Sequence, residues 1–316
     1  MKKVLVTGGA GFIGSHVVDK FIFKGYNVVV VDDLSTGDPK NLNKMAKIHE
    51  VDITSHELNR IFLQERPDYV VHQAAQIDVQ KSLADPLYDA RVNIIGTLNI
   101  LECSRRIGVK KLVYASSAAL YGDPEYLGID EQHRAYPMSN YGVSKYTPEH
   151  YLRVYDGLYG LSYVVLRYAN VYGPRQLAAG EGGVISIFID RMLNNKPPVV
   201  FGDGEQTRDF IYVEDVAEAN LKAVEEDSKG VYNISTNKQT SVNHLVELLK
   251  GIIKTDVEPV YKAPRAGDIR HSFLDNTKAV KELKWKPRTT LYEGLCRTVE
   301  YYRSRKVSDV DKISSM

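Results

Sequence analysis

The residues best suited to chemistry in this sequence are a tyrosine and a lysine four positions apart, Tyr141 and Lys145. Positions with this spacing share one face of a helix, so the two side chains are expected to lie together. A phenol with a pKa of about 10 is a poor base near neutral pH, but a neighbouring ammonium group favours the phenolate. The pair therefore predicts a base that removes a proton from a hydroxyl group, although an ordinary helix-surface pair has the same spacing.

Ser117 is the third candidate catalytic residue, and it lies two residues after an apolar run, Lys111–Ala115. Open α/β sheets bind ligands beyond the carboxyl ends of their strands, so its hydroxyl is expected to bond both the substrate hydroxyl and the Tyr141 phenol. Taken alone, a serine in this position is more often a cap of a helix or turn. Beside Tyr141 and Lys145 it is predicted to be catalytic.

A glycine-rich turn separates the first predicted strand, Val4–Thr7, from the first predicted helix. Gly8 is expected to allow the tight turn, Gly11 to let the backbone approach a pyrophosphate, and Gly14 to let the helix pack closely on the strand. The free N–H groups and the positive dipole end of the helix would then face the phosphates. A glycine pattern alone is weak evidence, but this one has the strand–turn–helix context of a dinucleotide site.

Asp32 follows the second predicted strand, Asn27–Val31. Dinucleotide sites have a carboxylate at this position, where it binds the adenosine ribose hydroxyls. Its charge would repel the 2′-phosphate of NADP, and no arginine follows it closely, so NAD is the predicted cofactor. Asp52 and Ile53 are expected to end the third strand, Ile48–Ile53, and to meet the adenine. For Asp52, the start of the following helix is an equally good explanation.

The elements that must position these residues alternate between short apolar runs and amphipathic segments. Each apolar run is rich in valine or isoleucine and nearly continuous, as expected of strands that are buried on both faces. The predicted strands of this half are Val4–Thr7, Asn27–Val31, Ile48–Ile53, Tyr69–His72, Lys111–Ala115 and Tyr163–Tyr168, and the helices include Ser15–Lys24, His56–Glu65 and Ala90–Arg106. This alternation predicts right-handed crossovers and an α/β fold, a Rossmann-type doubly wound parallel sheet.

Glycine, proline and asparagine become frequent after about residue 170, which predicts a smaller α+β domain that binds substrate against the carboxyl edge of the sheet. The expected strands are Val199–Phe201 and Val231–Ile234, and the expected helices are Val213–Glu225, Val242–Ile253 and Thr277–Leu283. The predicted first domain comprises residues 1–169 with about 210–235, and the second comprises residues 170–209 with about 236–312.

Composition limits the classes of function that this chain can have. The 316 residues are 43% hydrophobic and carry a formal net charge of +1, which supports neither a nucleic-acid nor a membrane-surface role. No apolar stretch approaches the roughly 20 residues of a membrane span, and no signal peptide is recognised. Cys103 and Cys296 match neither a metal-ligand spacing nor a disulfide framework. No metal site is therefore expected, and a cytoplasmic location is predicted.

Eight segments along the chain carry a family resemblance. They are Thr7–Gly14, His72–Ala75, Asn93–Thr97, Ser116–Gly122, Tyr141–Lys145, Arg167–Pro174, Phe201–Phe210 and Arg265–Asp268. Together they resemble the extended short-chain dehydrogenase/reductases of the nucleotide-sugar branch, and most closely the UDP-glucose 4-epimerase family, over about residues 1–300. The resemblance implies NAD as cofactor and a UDP-hexose as substrate. It also implies a homodimer through a four-helix bundle of the segments 90–106 and about 141–159.

The resemblance assigns cofactor contacts position by position, and it includes Tyr141 and Lys145 among them. Phe12 and Ile13 would cover the pyrophosphate, and Asn93 would be a structural residue beside the cofactor. The residues that would surround the adenosine ribose are Asp33, Leu34, Ser35 and Thr36. The residues that would line the cofactor from the fourth strand are Gln73, Ala74, Ala75 and Gln76. Those that would border the nicotinamide are Tyr168 and Val171.

Substrate contacts are implied in the same way, and Ser117 and Tyr141 belong to them. Arg208 and Arg265 would clamp the diphosphate, since an arginine fork matches phosphate oxygens. The residues that would hold the uridine are Val184, Val199 and Phe201, with Asp268 on its ribose and Asn170 on the sugar diphosphate. Ser272 takes a position that, in this family, lies beside the C2 substituent of the sugar. A small residue there would admit N-acetyl sugars.

Ala118 and Ala119 fill the slot in which related dehydratases and decarboxylases carry an acid directly after the serine or threonine. The resemblance therefore implies inversion at C4 through a transient 4-keto sugar, for UDP-glucose and UDP-galactose and also for UDP-GlcNAc and UDP-GalNAc. One alternative is a UDP-glucuronate 4-epimerase, which would need a cation for the sugar carboxylate. The other is a non-catalytic, NAD-responsive regulatory protein on the same fold, which would have no need of an intact catalytic set.

Overall fold

A seven-stranded parallel sheet forms the centre of the computed structural model, which describes residues 2–178, 183–265 and 269–314, with side chains as far as residue 306. The strands in chain order are β1 Lys3–Thr7, β2 Asn27–Asp32, β3 Lys47–Glu50, β4 Tyr69–His72, β5 Lys111–Ser117, β6 Ser162–Tyr168, β7 Asn170–Tyr172, β8 Val199–Phe201, β9 Thr207–Arg208, β10 Phe210–Tyr212, β11 Gly230–Ile234, β12 Thr240–Ser241 and β13 Val260–Lys262. The α-helices are α1 Phe12–Phe23, α2 Glu57–Glu65, α3 Val79–Ala84, α4 Pro86–Ala90, α5 Gly96–Ile107, α6 Asn140–Tyr159, α7 Val184–Leu193, α8 Val213–Glu225, α9 Val242–Ile253, α10 Thr277–Glu282 and α11 Leu291–Ser314.

Both faces of the sheet are covered, which explains why its strands are nearly continuous apolar runs. Successive side chains of β1 point to opposite faces. Val4 and Val6 pack with residues of α1 and α8, whereas Leu5 packs with residues of α2 and α5. Burial of each such side chain contributes about 1.5–3 kcal/mol. Because the buried side chains point to both faces, each face of the sheet is covered by a layer of helices.

The strand order is β11–β6–β5–β4–β1–β2–β3, with every neighbouring pair parallel. The chain runs outward from β1 to β3 and then returns to place β4 on the other side of β1. Thr7 at the end of β1 is paired with His72 on one side and Val31 on the other, so the carboxyl ends of three strands meet there. Such a reversal of strand order opens a crevice for a ligand. The predicted Rossmann-type fold is confirmed.

The third strand is shorter than predicted. β3 ends at Glu50, and its residues are mostly exposed because it lies at the edge of the sheet. The Asp52 side chain accepts the Thr54 N–H at 2.7 Å and turns the chain toward α2. The prediction that Asp52 and Ile53 end the strand was therefore wrong, because the aspartate forms a local turn instead of continuing the ladder.

The helix predicted over Ala90–Arg106 is also interrupted. A π-helical turn, Arg91–Ile95, stands between α4 and α5. Such turns are rare and are found frequently at functional sites. The sequence pattern did not reveal it, because one extra residue in a turn barely alters a 3.6-residue period. Asn93 lies at its centre.

Most of the elements after β6 build a second core apart from the main sheet. Their core joins α7, α9 and α11 around the buried Val200 of β8. β7 pairs with β10, β8 with β13, and β9 with β12. β11 returns to the edge of the main sheet beside β6. The proposed division of the chain into two domains stays a prediction.

None of the helices among the described residues has the length and hydrophobicity of a membrane span. In the same part of the chain, no three histidine, cysteine, aspartate or glutamate side chains are grouped as a metal site would require.

Candidate active site

Tyr141 lies in the first turn of α6, beside the carboxyl end of β5. Ser139 caps this helix and accepts the Gly142 N–H at 3.1 Å. The Tyr141 N–H donates to Ser82 Oγ at 3.1 Å, so α3 also holds the start of α6. Gly142 permits a close approach, because a Cβ there would lie 2.8 Å from the Ala119 carbonyl oxygen. The first turn of α6 therefore packs directly on the turn that follows β5.

Ser117 is the last residue of β5 and caps that following turn, a 3₁₀ turn over Ala118–Leu120. Its Oγ accepts the Ala119 N–H at 3.2 Å. A hydroxyl has one proton and two acceptor lone pairs, so this capping bond leaves the proton for another acceptor. The capping and catalytic interpretations of Ser117 are thus compatible. The cap fixes the direction of the oxygen.

Lys145 lies one turn beyond Tyr141 on α6 and is only 4% exposed. Its Nζ is 4.7 Å from the centre of the Tyr114 ring, an attractive cation–π geometry. The Tyr114 hydroxyl donates to the Lys145 carbonyl oxygen at 3.1 Å and so anchors the same turn of helix. Burial lowers the pKa of Lys145 to about 7, while the carboxylates of Asp89 and Glu149 act against that decrease. The ammonium charge at this site therefore depends on its neighbours.

A buried ion pair behind the site was not predicted from the sequence. Glu149, one turn after Lys145, accepts from Arg167 with an Nη2–Oε2 distance of 2.6 Å and from Ser116 Oγ at 2.6 Å. Arg167 also donates to the Tyr121 hydroxyl at 2.8 Å. Because all of these groups are satisfied, the network rigidly joins α6 to β5 and β6. The signal available in the sequence was a glutamate four positions after Lys145, a candidate catalytic residue.

The glycine turn has the close contacts that its sequence predicts. Gly8 has a φ of +66°, and a Cβ on it would lie 2.6 Å from the Ala74 nitrogen. A Cβ on Gly14 would lie 2.0 Å from the Gly8 carbonyl oxygen. At Gly11 a Cβ would meet only that same oxygen, at 3.2 Å, so the space in front of Gly11 is otherwise open. No side chain caps the N-terminus of α1.

Asp32 is 6% exposed at the end of β2, and burial raises the pKa of its carboxyl group. Its two oxygens accept the N–H groups of Ala10 at 2.8 Å and Leu34 at 2.9 Å. Each oxygen keeps a further lone pair, which suits the hydroxyls of a ribose. The other residues predicted around that ribose, Asp33, Ser35 and Thr36, are exposed on the loop after β2.

The end of β4 brings the predicted nicotinamide side of the site together. Gln73 Nε2 donates to the Tyr168 hydroxyl at 3.0 Å and to Asn220 Oδ1 at 2.9 Å. Burial raises the pKa of Tyr168 to about 12, so this phenol stays neutral near pH 7. The Ala74 N–H donates to Thr7 Oγ1 at 3.2 Å, which ties this loop to β1. Ala75 lies next on the loop and Val171 lies on β7.

Asn93, in the π-helical turn, joins the loop after β4 to α6. It is 2% exposed, and its Oδ1 accepts the Gln76 N–H at 2.8 Å. Its Nδ2 lies 2.9 Å from both the Gln76 carbonyl oxygen and Ser144 Oγ. These contacts hold the loop after β4 against α6, and the role of Asn93 beside the cofactor stays a prediction.

The predicted substrate residues occupy a surface next to β7, β9 and β10. The Asn170 N–H donates to the Asp209 carbonyl oxygen at 2.9 Å, directly after Arg208. The Ser272 N–H donates to the Thr207 carbonyl oxygen at 3.2 Å, directly before Arg208. Asn170, Arg208 and Ser272 are therefore grouped by backbone contacts, although they are far apart in sequence.

Arg265 lies in a second group with Phe201, because its guanidinium carbon is 3.9 Å from the centre of the Phe201 ring. Arginine and aromatic faces attract each other in this geometry. Val199 begins β8, the strand that ends at Phe201, and Val184 begins α7. Asp268 lies outside the described residues. The ring and guanidinium together offer a platform and a cation for a nucleotide diphosphate.

The described residues fit NAD. The open space at Gly11 and the uncapped N-terminus of α1 suit a diphosphate, because free N–H groups and the helix dipole attract anions. Asp32 has lone pairs for ribose hydroxyls, and its charge disfavours a 2′-phosphate. Phe12 and Ile13 form the first turn of α1 beside this space. Ile53, predicted at the adenine, is a buried core residue next to Gly96.

Comparison with known proteins agrees with this geometry. The sequence pattern of the NAD dependent epimerase/dehydratase family matches residues 4–235. This chain belongs to that family. A putative UDP-glucose 4-epimerase of Methanocaldococcus jannaschii is 48% identical over 302 residues, covering 95% of this chain and 98% of that protein.

Two solved structures of epimerases are similar over nearly their whole length. The UDP-glucose 4-epimerase of Thermotoga maritima, solved with UDP-glucose, is 51% identical with a TM-score of 0.94, covering 96% of this chain and 99% of that one. The UDP-N-acetylglucosamine 4-epimerase of Methanobrevibacter ruminantium, solved with UDP-N-acetylmuramic acid, is 38% identical with a TM-score of 0.93 and the same coverage. The predicted family, NAD cofactor and epimerase class are confirmed. The individual site residues stay predictions.

Proposed function

We propose that this chain inverts C4 of UDP-glucose and UDP-galactose, and also of the corresponding N-acetyl sugars. The observation that carries the proposal is the buried Lys145, one helical turn from Tyr141 and packed on the same edge as Ser117. This arrangement can move a proton at a hydroxyl group. Bound NAD would accept a hydride from C4 and return it.

Tyr141 would take the proton of the 4-hydroxyl in one half of the reaction and return it in the other. The Lys145 ammonium favours the phenolate form of Tyr141, since an opposite charge stabilises an anion. Ser117, held by its bond to the Ala119 N–H, would bridge the sugar hydroxyl and the phenol. Proton transfer by a positioned side chain contributes about a hundred- to ten-thousand-fold in rate.

The substrate would be anchored at its nucleotide end. Arg208 and Arg265 would hold the diphosphate, and Phe201 would support the uridine. The sugar itself would then be free to present its opposite face between the two hydride transfers. Ala118 and Ala119 occupy the turn after Ser117, and neither side chain can supply the acid or base that elimination of water needs.

Turnover of the nucleotide sugars tests this proposal directly. The purified protein is incubated separately with UDP-glucose, UDP-galactose, UDP-GlcNAc, UDP-GalNAc and UDP-glucuronate, and the products are resolved by NMR. We expect interconversion of UDP-glucose with UDP-galactose and of UDP-GlcNAc with UDP-GalNAc. Turnover of UDP-glucuronate alone would replace this function by the glucuronate epimerase, and no turnover at all would favour a non-catalytic NAD-binding protein.

Ser272 is proposed to admit the N-acetyl group. It is half-buried and its backbone bonds to the residue before Arg208. The 38% identical epimerase from Methanobrevibacter ruminantium acts, by its name, on UDP-N-acetylglucosamine. Replacement of Ser272 by tyrosine is expected to lower kcat/KM for UDP-GlcNAc by at least about tenfold, because added volume excludes the larger C2 substituent.

Activity on UDP-glucose should be retained in Ser272→Tyr, and Ser272→Ala should retain activity on all four sugars. The same NMR assay measures each rate. Equal losses on plain and N-acetyl sugars in Ser272→Tyr would contradict a selective role for this position.

A homodimer through α5 and α6 is part of the proposal. Tyr151, Val154 and Leu158 lie on one face of α6 and are 38%, 45% and 68% exposed, and Ile95 beside α5 is 54% exposed. An apolar stripe of this kind is typical of an interface. We expect Leu158→Glu to give a monomer in light scattering, whereas Phe23→Glu, on α1, leaves the dimer intact. A wild-type monomer would overturn the assignment.

A further inference from the structure

Asp89 is a buried carboxylate that the proposed reaction does not yet use. It lies in α4 and is 1% exposed. Its Oδ1 accepts from Gln76 Nε2 at 2.8 Å and from Asn93 Nδ2 at 3.2 Å. Both donors are neutral amides. Among the described residues, no lysine, arginine or histidine nitrogen comes within 4.0 Å of this carboxylate.

Burial of a charge without a partner is costly, so the charge of Asp89 needs an opposite charge nearby. Lys145 meets this need, because α4 packs on α6 and Lys145 is itself only 4% exposed, so water does not screen the two groups. In agreement with this geometry, the Asp89 carboxylate raises the pKa of Lys145 against the effect of burial. The two residues are also linked by hydrogen bonds. Asn93 Nδ2, which donates to Asp89, lies 2.9 Å from Ser144 Oγ, and Ser144 directly precedes Lys145.

The other groups that face Lys145 do not replace Asp89. Glu149 is paired with Arg167 at 2.6 Å, so that pair has no net charge. Tyr114 is neutral, because burial raises its pKa well above the usual range. His72 is neutral, because burial lowers its pKa to about 3. Tyr141, on the same helix, is the group whose proton Lys145 controls.

We propose that Asp89 is a positioning residue that keeps Lys145 in its ammonium form and, through Asn93, holds the first turns of α6. The proposal rests on the catalytic role given to Lys145 in the proposed function. Asp89 acts across the fold, from the short helix α4 to the catalytic helix α6. Its charge, rather than its shape, is the property that matters.

Asp89→Asn separates charge from shape, because the amide oxygen can still accept both hydrogen bonds. Lysine residues labelled with ¹³C at Cε are titrated by NMR in the NAD-free protein, and the Lys145 signal is assigned by its loss in Lys145→Met. We expect the Lys145 titration midpoint to fall by about one pH unit or more in Asp89→Asn. In the loaded enzyme, the alkaline limit of kcat should move to lower pH, because the ammonium is lost sooner.

Asp85→Asn is the matched control. Asp85 is the exposed N-cap of the same helix, where asparagine caps equally well, so the same charge is removed without burial. It should leave both the titration midpoint and the pH profile unchanged. An unchanged Lys145 midpoint in Asp89→Asn would overturn the proposal, and so would an equal shift in Asp85→Asn. The NMR titration needs no nucleotide sugar, so its outcome is independent of the substrate assignment.

Discussion

Tyr141→Phe is expected to lower kcat for the interconversion of UDP-glucose and UDP-galactose by a factor of about a hundred to ten thousand, the usual contribution of a general base. Only the phenolic oxygen is lost, and the ring keeps its place in the first turn of α6. The Tyr141 N–H bond to Ser82 Oγ at 3.1 Å is a backbone contact and survives the change. Lys145 would keep its position, but its charge would have no phenol to act upon.

Two measurements check this result. Steady-state rates give kcat, and the NAD content of the purified variant shows whether the cofactor site is intact. We expect NAD to be bound as in the wild type. Tyr146→Phe is a matched control, because Tyr146 lies on the same helix with its ring 4.7 Å from that of His150. It should retain wild-type activity. Near-normal turnover in Tyr141→Phe would remove Tyr141 from the mechanism.

Gly14→Ala is expected to abolish NAD binding and to destabilise the fold. The added Cβ would lie 2.0 Å from the Gly8 carbonyl oxygen and 2.8 Å from the Gly8 carbonyl carbon. These are backbone atoms that cannot rotate away, so α1 must move off the turn. Overpacking of this kind costs about 1–3 kcal/mol or more. The displaced helix N-terminus would no longer present its N–H groups to the diphosphate.

The dissociation constant for NAD and the Tm of the NAD-free protein measure the two effects separately. Gly157→Ala provides the control, because Gly157 lies within α6 and a Cβ there would meet nothing within 4 Å. In that variant we expect unchanged NAD binding and a gain of about 0.5–1 kcal/mol in stability, since alanine favours a helix interior. Wild-type NAD affinity in Gly14→Ala would contradict the assumption that close packing of α1 on the glycine turn is needed for NAD binding.

Much of the sheet and of the predicted NAD site could be predicted, because the sequence patterns that indicate them are local. Gly8, Gly11 and Gly14 lie within one short segment that leads from the turn into α1, and Tyr141 and Lys145 are four positions apart on one helix. The continuous apolar runs predicted a sheet covered on both faces, and the fold has that form. Each of these patterns lies in the same short segment as the helix, turn or strand that it predicts. It can therefore be recognised without knowledge of contacts between distant parts of the chain.

The edge of the sheet was less predictable. The predicted end of the third strand at Ile53 depended on an apolar pattern that continues beyond Glu50. The bond from the Thr54 N–H to the Asp52 side chain ends the ladder, and an edge strand has only one neighbour to oppose that turn. Ser117 caps the turn after β5, which is one of the two roles that the sequence left open for it.

By itself, the sequence determined the fold and the dinucleotide turn, and it predicted Tyr141 as the base. Only the tertiary structure decided how Lys145 is charged. Asp89 lies 56 positions before Lys145 and belongs to a five-residue helix, too short to show which of its faces is buried. The sequence alone does not show whether an aspartate is exposed to solvent or buried. Its effect on Lys145 arises when α4 and the π-helical turn fold against α6 and exclude water from both charges.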